Sequence, residues 1–115
     1  IHAMSHPIGA VFNTHHGTTN AICMPAVLEF NADMIRERFD MAAGYLGIEG
    51  GFDGFRTFAQ ELNDRLGIPR TLSEVGATPD RLDDLAAMAI QDPSCGGNPV
   101  TLTVENHKTL FHRCL

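Results

Sequence analysis

Apolar residues along this chain recur at spacings of three and four, and no stretch alternates long enough for a strand. Ile35, Phe39, Ala42, Ala43 and Leu46 form one stripe, with Arg36, Glu37 and Asp40 on the opposite face, which predicts an amphipathic helix. Phe52, Phe55, Phe58, Ala59, Leu62 and Leu66 predict a second, whose aromatic stripe belongs to the core. Leu82, Leu85, Ala86, Met88 and Ala89 mark the buried face of a third, and Leu110 and Phe111 the inward side of a last helix ending near Cys114. Residues 1–12 and 18–30 are apolar on most sides and read as buried helices. Pro7 and Pro25 interrupt them, and each removes a backbone donor and should kink its helix. The fold class expected is all-α, a bundle-like helical domain.

Turn and cap residues punctuate these segments. Asn13-Thr14-His15-His16-Gly17 reads as a turn, and Asn31 as an N-cap with Asp33 in the first helical turn. Gly47 closes that helix and Gly50-Gly51 opens the next connection. Gly67 and Pro69 stop the following helix. Thr71-Leu72-Ser73-Glu74 fits a capping box over a single turn, and Thr78-Pro79 an N-cap followed by proline. Residues 92–99 form a loop, after which Thr101 or Thr103 caps the last helix.

Composition narrows the functional classes. A chain of 115 residues makes one domain at most. A net charge of -6 and the absence of any basic block exclude a nucleic-acid or anionic-membrane surface. No apolar run approaches the roughly 18 residues of a membrane span, and no secretory-type start is present. Cys23, Cys95 and Cys114 lie far apart with no CxxC pair, which points to neutral or buried thiols in a reducing cytoplasm. The opening Ile1-His2-Ala3-Met4-Ser5-His6 has no initiator Met and no cap, and reads as a helix cut in its middle, so the chain reads as a fragment.

Four of the six histidines, His2, His6, His15 and His16, fall within sixteen residues. His2 and His6 are four apart, on one helical face, and His16 returns after the turn. Neutral imidazoles suit a first-row divalent ion such as Fe²⁺ or Zn²⁺. The spacing equally admits hydrogen-bonded core histidines and two loop histidines. His107 and His112 have no partner at ligand spacing and read as surface or helix-end residues.

The segment from His2 through His6-Pro7-Ile8-Gly9-Ala10, then Asn13-Thr14-His15-His16-Gly17, Asn20-Ala21 and Met24-Pro25, resembles the iron-containing alcohol dehydrogenase family. The resemblance continues through Phe30-Asn31 and Leu66-Gly67-Ile68-Pro69 to Gly96-Gly97-Asn98-Pro99, specific at the start and generic in the middle. It implies the distal part of a dehydroquinate synthase-like fold, with residues 1–115 forming part of a C-terminal metal-binding helical domain. The start of that domain and an N-terminal α/β domain binding NAD or NADP would lie upstream. In that family an aspartate and three histidines hold the metal. By position, His2 and His16 correspond to the last two, and the other ligands have no counterpart here. His6 matches a histidine regarded as a substrate or proton-transfer residue. Ser94 and Cys95 lie on a loop that approaches the substrate pocket, and proline is common at the position of His15.

The function implied is interconversion of a small alcohol with an aldehyde or ketone, in a parent chain whose family is commonly dimeric. With no dinucleotide fingerprint in these residues, they are expected to be inactive alone. The competing reading is a stand-alone helical interaction or metal-binding module with a degenerate site.

Overall fold

A helix whose apolar residues share one side is stable only when that side is covered, and the stripes here form helices that cover one another. The computed structural model describes residues 1–115. It contains α1 (His2–Phe12), α2 (His16–Phe30), α3 (Ala32–Leu46), α4 (Gly51–Arg65), α5 (Leu82–Ala89) and α6 (Val104–Cys114). Short 3₁₀ turns at Ser73–Val75, Pro79–Arg81 and Pro93–Gly97 lie in the connections, and there is no strand. No helix is long and apolar enough to cross a membrane.

The core is built by α1, α2, α5 and α6. Met4 and Ile8 meet Ile22, Cys23 and Val27, and both groups pack on Leu85, Ala86, Ala89, Leu110, Phe111 and Cys114. Burying each of the larger apolar side chains contributes about 1.5–3 kcal/mol. That is enough to offset a proline in a helix, which costs on the order of 3 kcal/mol. Accordingly α1 runs through the buried Pro7 and α2 through Pro25, and neither helix ends there.

Helices α3 and α4 pair as a hairpin. The Phe39 ring stands edge-on to Phe52 and Phe55, with centroids 5.8 and 4.8 Å apart. Asn63 Nδ2 donates to the carbonyl of Ala21 at 3.0 Å, and Arg56 pairs with Glu29 at 3.1 Å, tying the hairpin to α2. The apolar stripes are wider than this one-sided contact. Phe52 is buried, whereas Phe58 is 41% exposed, Leu46 62% and Leu66 66%. The aromatic stripe is therefore only partly core. The face expected to be solvated is also used: Asp40 Oδ1 accepts from the Phe52 N–H at 2.7 Å, and the Arg36 guanidinium lies 4.7 Å over the Phe52 ring.

Several caps are realised as expected. Thr103 and Asn106 form a capping box at the start of α6. The Thr71 and Glu74 side chains each accept from the other residue's backbone N–H, beside the turn at Ser73–Val75. Gly47 closes α3 with φ 69°. Others differ. Gly51 begins α4 itself rather than a connection. Asn31 makes no side-chain cap, because its amide is turned to Val27 and Asn98. Met88 is 42% exposed, since the short α5 buries only Leu85, Ala86 and Ala89.

Candidate active site

The histidines come together because α1 and α2 reverse across a three-residue turn. Asn13 adopts the left-handed region at φ 53°, a conformation asparagine tolerates, and its N–H reaches the Gly9 carbonyl at 3.0 Å. His15 then caps α2, its Nδ1 accepting from the Thr18 N–H at 3.4 Å. That cap draws His16 into the first turn of α2, earlier than the pattern of residues 18–30 suggested. The rings of His2, His6 and His16 converge, with centroids 5.9, 5.3 and 5.2 Å apart, and all three residues are exposed.

The tautomer of His16 follows from the hydrogen bonds around Ser5. The buried Ser5 hydroxyl donates to the His2 carbonyl at 3.2 Å, so its oxygen is left to accept. His16 Nδ1 lies 3.3 Å from that oxygen and must be the protonated nitrogen. Nε2 therefore carries the lone pair, 3.0 Å from Asn20 Nδ2, while Asn20 Oδ1 is buried without a partner. A histidine that binds a cation has one nitrogen donating to a fixed acceptor and the other unprotonated, and here the unprotonated Nε2 accepts from the Asn20 amide.

His6 has a different partner. Its Nδ1 lies 2.7 Å from Asp92 Oδ2, on the loop between α5 and α6. The hydroxyl and backbone N–H of Ser94 and the imidazole of His6 hold the Asp92 carboxyl at about 2, below the usual range.

The same loop brings Ser94 and Cys95 to a cleft of about 170 Å³ shared with His2, Gly97, Asn98 and Leu102. Both predicted pocket residues thus adjoin one of the converging histidines. A larger surface cleft of about 380 Å³, between Pro25, Asp53, Arg56 and Glu61, lies away from these residues and holds no histidine or cysteine.

His107 is not at the surface: it is fully buried, its Nδ1 3.2 Å from the Thr103 carbonyl and its Nε2 4.0 Å from Cys95 Sγ. Burial lowers its pKa. It occupies the core side of α6, beside Met4 of α1 and Val27 and Phe30 of α2, and only His112 is exposed as expected.

No three His, Cys, Asp or Glu side chains close around a point where an ion would be held by this chain alone. The donor chemistry nevertheless fits a divalent cation as a partial set, with His16 Nε2 an acceptor held only by the Asn20 amide and the His2 ring beside it. Ser5 and Asp92 carry no periodic signal in the sequence, and the pattern places His107 at the surface, where it is not. A serine between two histidines at positions 2 and 6 was the one local clue.

Six helices without a strand, with three histidines gathered where α1 meets α2, define an all-α helical domain. Residues 1–115 match the model of the Fe-containing alcohol dehydrogenase family, C-terminal, and the chain belongs to that family. It is 39% identical over 119 residues to the lactaldehyde reductase of Escherichia coli K12, covering 97% of this chain and 31% of that protein. It is 34% identical to the NADPH-dependent butanol dehydrogenase of Clostridium saccharobutylicum, covering 96% and 31%. The chain therefore spans about a third of the length of these relatives. Among solved structures, a 1,3-propanediol oxidoreductase superposes with a TM-score of 0.91 at 26% identity, over 99% of this chain and 32% of the other. The iron-containing alcohol dehydrogenase of Thermococcus thioreducens gives 0.86 at 31% identity, over 98% and 30%.

Proposed function

We propose that the protein carrying this chain interconverts a small alcohol with an aldehyde or ketone using NAD or NADP. In this reading His2 and His16 supply two ligands of a divalent metal, Fe²⁺ before Zn²⁺. The remaining ligands and the nucleotide-binding domain belong to other parts of the same polypeptide. The relatives' names support the reaction class, and the observation that carries the metal assignment is the bond from His16 Nδ1 to Ser5 Oγ, which leaves Nε2 unprotonated.

When bound, the ion supplies Lewis-acid polarisation of the substrate oxygen, and the nicotinamide nucleotide supplies the hydride chemistry. The residues here bind, orient and move a proton. Ser5 and the turn at Asn13 hold His16 against α1. His6 accepts or returns the hydroxyl proton, the general acid–base task an imidazole performs through its two ring nitrogens. Ser94 and Cys95, which line the cleft beside His2, form part of the substrate pocket in this reading. The 115 residues on their own are expected to reduce no NAD(P), because two imidazoles hold a divalent ion weakly compared with a four-ligand site.

The experiment is substitution in the full-length protein. His2→Ala and His16→Ala should each lose bound metal, while His6→Ala should depress turnover and leave metal content intact. Unchanged metal in both of the first two variants would remove the ligand assignment. Unchanged turnover in the third would remove the role of His6.

A further inference from the structure

The carboxylate of Asp92 stands 86 positions from His6 in sequence and is the one group bonded to its ring. Both of its oxygens are committed. Oδ2 takes His6 Nδ1 at 2.7 Å, while Oδ1 takes the Ser94 backbone N–H at 2.9 Å and the Ser94 hydroxyl at 2.5 Å. Its side chain caps the Pro93–Gly97 turn, whose first residue is a proline with φ set by its ring. A carboxylate held at both oxygens by a short capped turn has little freedom to rotate, so the ring bonded to it has little either.

A carboxylate only accepts, so the neutral His6 must carry its proton on Nδ1 and its lone pair on Nε2. The ring lies stacked on His16, 5.2 Å between centroids and 15° between planes.

We propose that Asp92 is the positioning residue for His6, fixing both the tautomer and the orientation in which its Nε2 exchanges the substrate proton. The inference rests on the proton-transfer reading of His6 given above. The well-lowered carboxyl of Asp92 keeps it ionised, hence acceptor-only, throughout the neutral range. A carboxylate that orients an imidazole acts through it, without itself taking the proton. The arrangement has a second consequence. The loop that presents Ser94 and Cys95 to the cleft also sets the proton-transfer group, so the pocket wall and the relay are placed by one side chain.

The test is made on the full-length holoenzyme. Asp92→Asn retains the shape of the side chain but its amide can donate as well as accept, so it admits the opposite tautomer. Turnover should fall ten- to a hundredfold, with KM and metal content within twofold of the parent, and Asp92→Glu should recover part of the loss. A rise in KM or loss of metal instead of a fall in kcat would mark a merely structural role and overturn the proposal. If His6→Ala is impaired and Asp92→Asn is not, this inference fails and the reading of His6 stands. If His6→Ala is itself fully active, that reading fails first.

A measurement without any variant guards against misfolding. The ¹⁵N spectrum of the native protein should show neutral His6 protonated at Nδ1, and protonation at Nε2 would overturn the proposal.

Discussion

Asn31 and Asn98 exchange two amide hydrogen bonds across 67 positions of sequence: Asn31 Nδ2 donates to Asn98 Oδ1 at 2.9 Å, and Asn98 Nδ2 donates to Asn31 Oδ1 at 2.8 Å. Asn31 also donates to the Val27 carbonyl, and Asn98 to that of Val100. The junction of α2 and α3 is thereby locked to the loop that carries Ser94 and Cys95. Asn31→Ala leaves the Asn98 amide without this partner and should destabilise the fold by about 1–3 kcal/mol, read from denaturant unfolding of the full-length protein. A double-mutant cycle with Asn98→Ala should show coupling, because the two residues share the same bonds. Additive losses would mean that the pair makes no joint contribution.

Ser5 provides the acceptor that sets the tautomer of His16. Ser5→Ala removes it with little change in volume, and metal affinity should fall by roughly 10–100-fold, the usual cost of losing a group that orients a ligand. Equilibrium dialysis against Fe²⁺ or Zn²⁺ measures this directly. Unchanged affinity would show that the hydroxyl does not prepare His16.

His107 gives stability a pH dependence of known sign. Burial lowers its folded pKa below the ordinary value of 6.5. On acidification the unfolded chain therefore takes up this proton first, and stability present above about 6.5 is lost as pH falls towards the folded value. His107→Gln should flatten the decline in thermal midpoint between pH 7 and pH 5. Asp92 acts lower. Its carboxyl at about 2, against an ordinary 3.8, contributes stability above 3.8 that disappears as pH approaches 2. Parallel curves for parent and His107→Gln would contradict the first assignment.

Gly54 packs where no side chain fits. A Cβ there would overlap the Glu49 carbonyl and crowd Ile48. Gly54→Ala should lower stability by about 1–3 kcal/mol, visible as a lower thermal midpoint, while Gly44→Ala, in open space on α3, should not.

The cysteines should separate by reactivity. Cys95 is half-buried, while Cys23 and Cys114 are buried. The hydrogen bond with Cys114 and burial together push the Cys23 thiol up. Alkylation followed by mass spectrometry should label Cys95 first and reach the other two only on unfolding. Early labelling of Cys23 would indicate local opening of α2 and α6.

Local pattern was enough to establish all six helices, most of their caps, and the proximity of His2 and His6, because helix period and capping depend on residues within a few positions of one another. It also brought His16 near them, since the turn between α1 and α2 is written in three adjacent residues. It could not rank the stripes. Phe52 and Phe58 lie on the same stripe of α4, yet one is fully buried and the other open, because burial depends on which neighbour arrives and how much of the stripe it covers. His107 and Asp92 were illegible for the same reason. The partners of His107 within the core, and the 86 positions between Asp92 and His6, are joined only when α5 and α6 pack against α1 and α2. Tertiary structure decided which polar groups meet, because hydrogen bonds between distant residues leave no periodic mark on the chain.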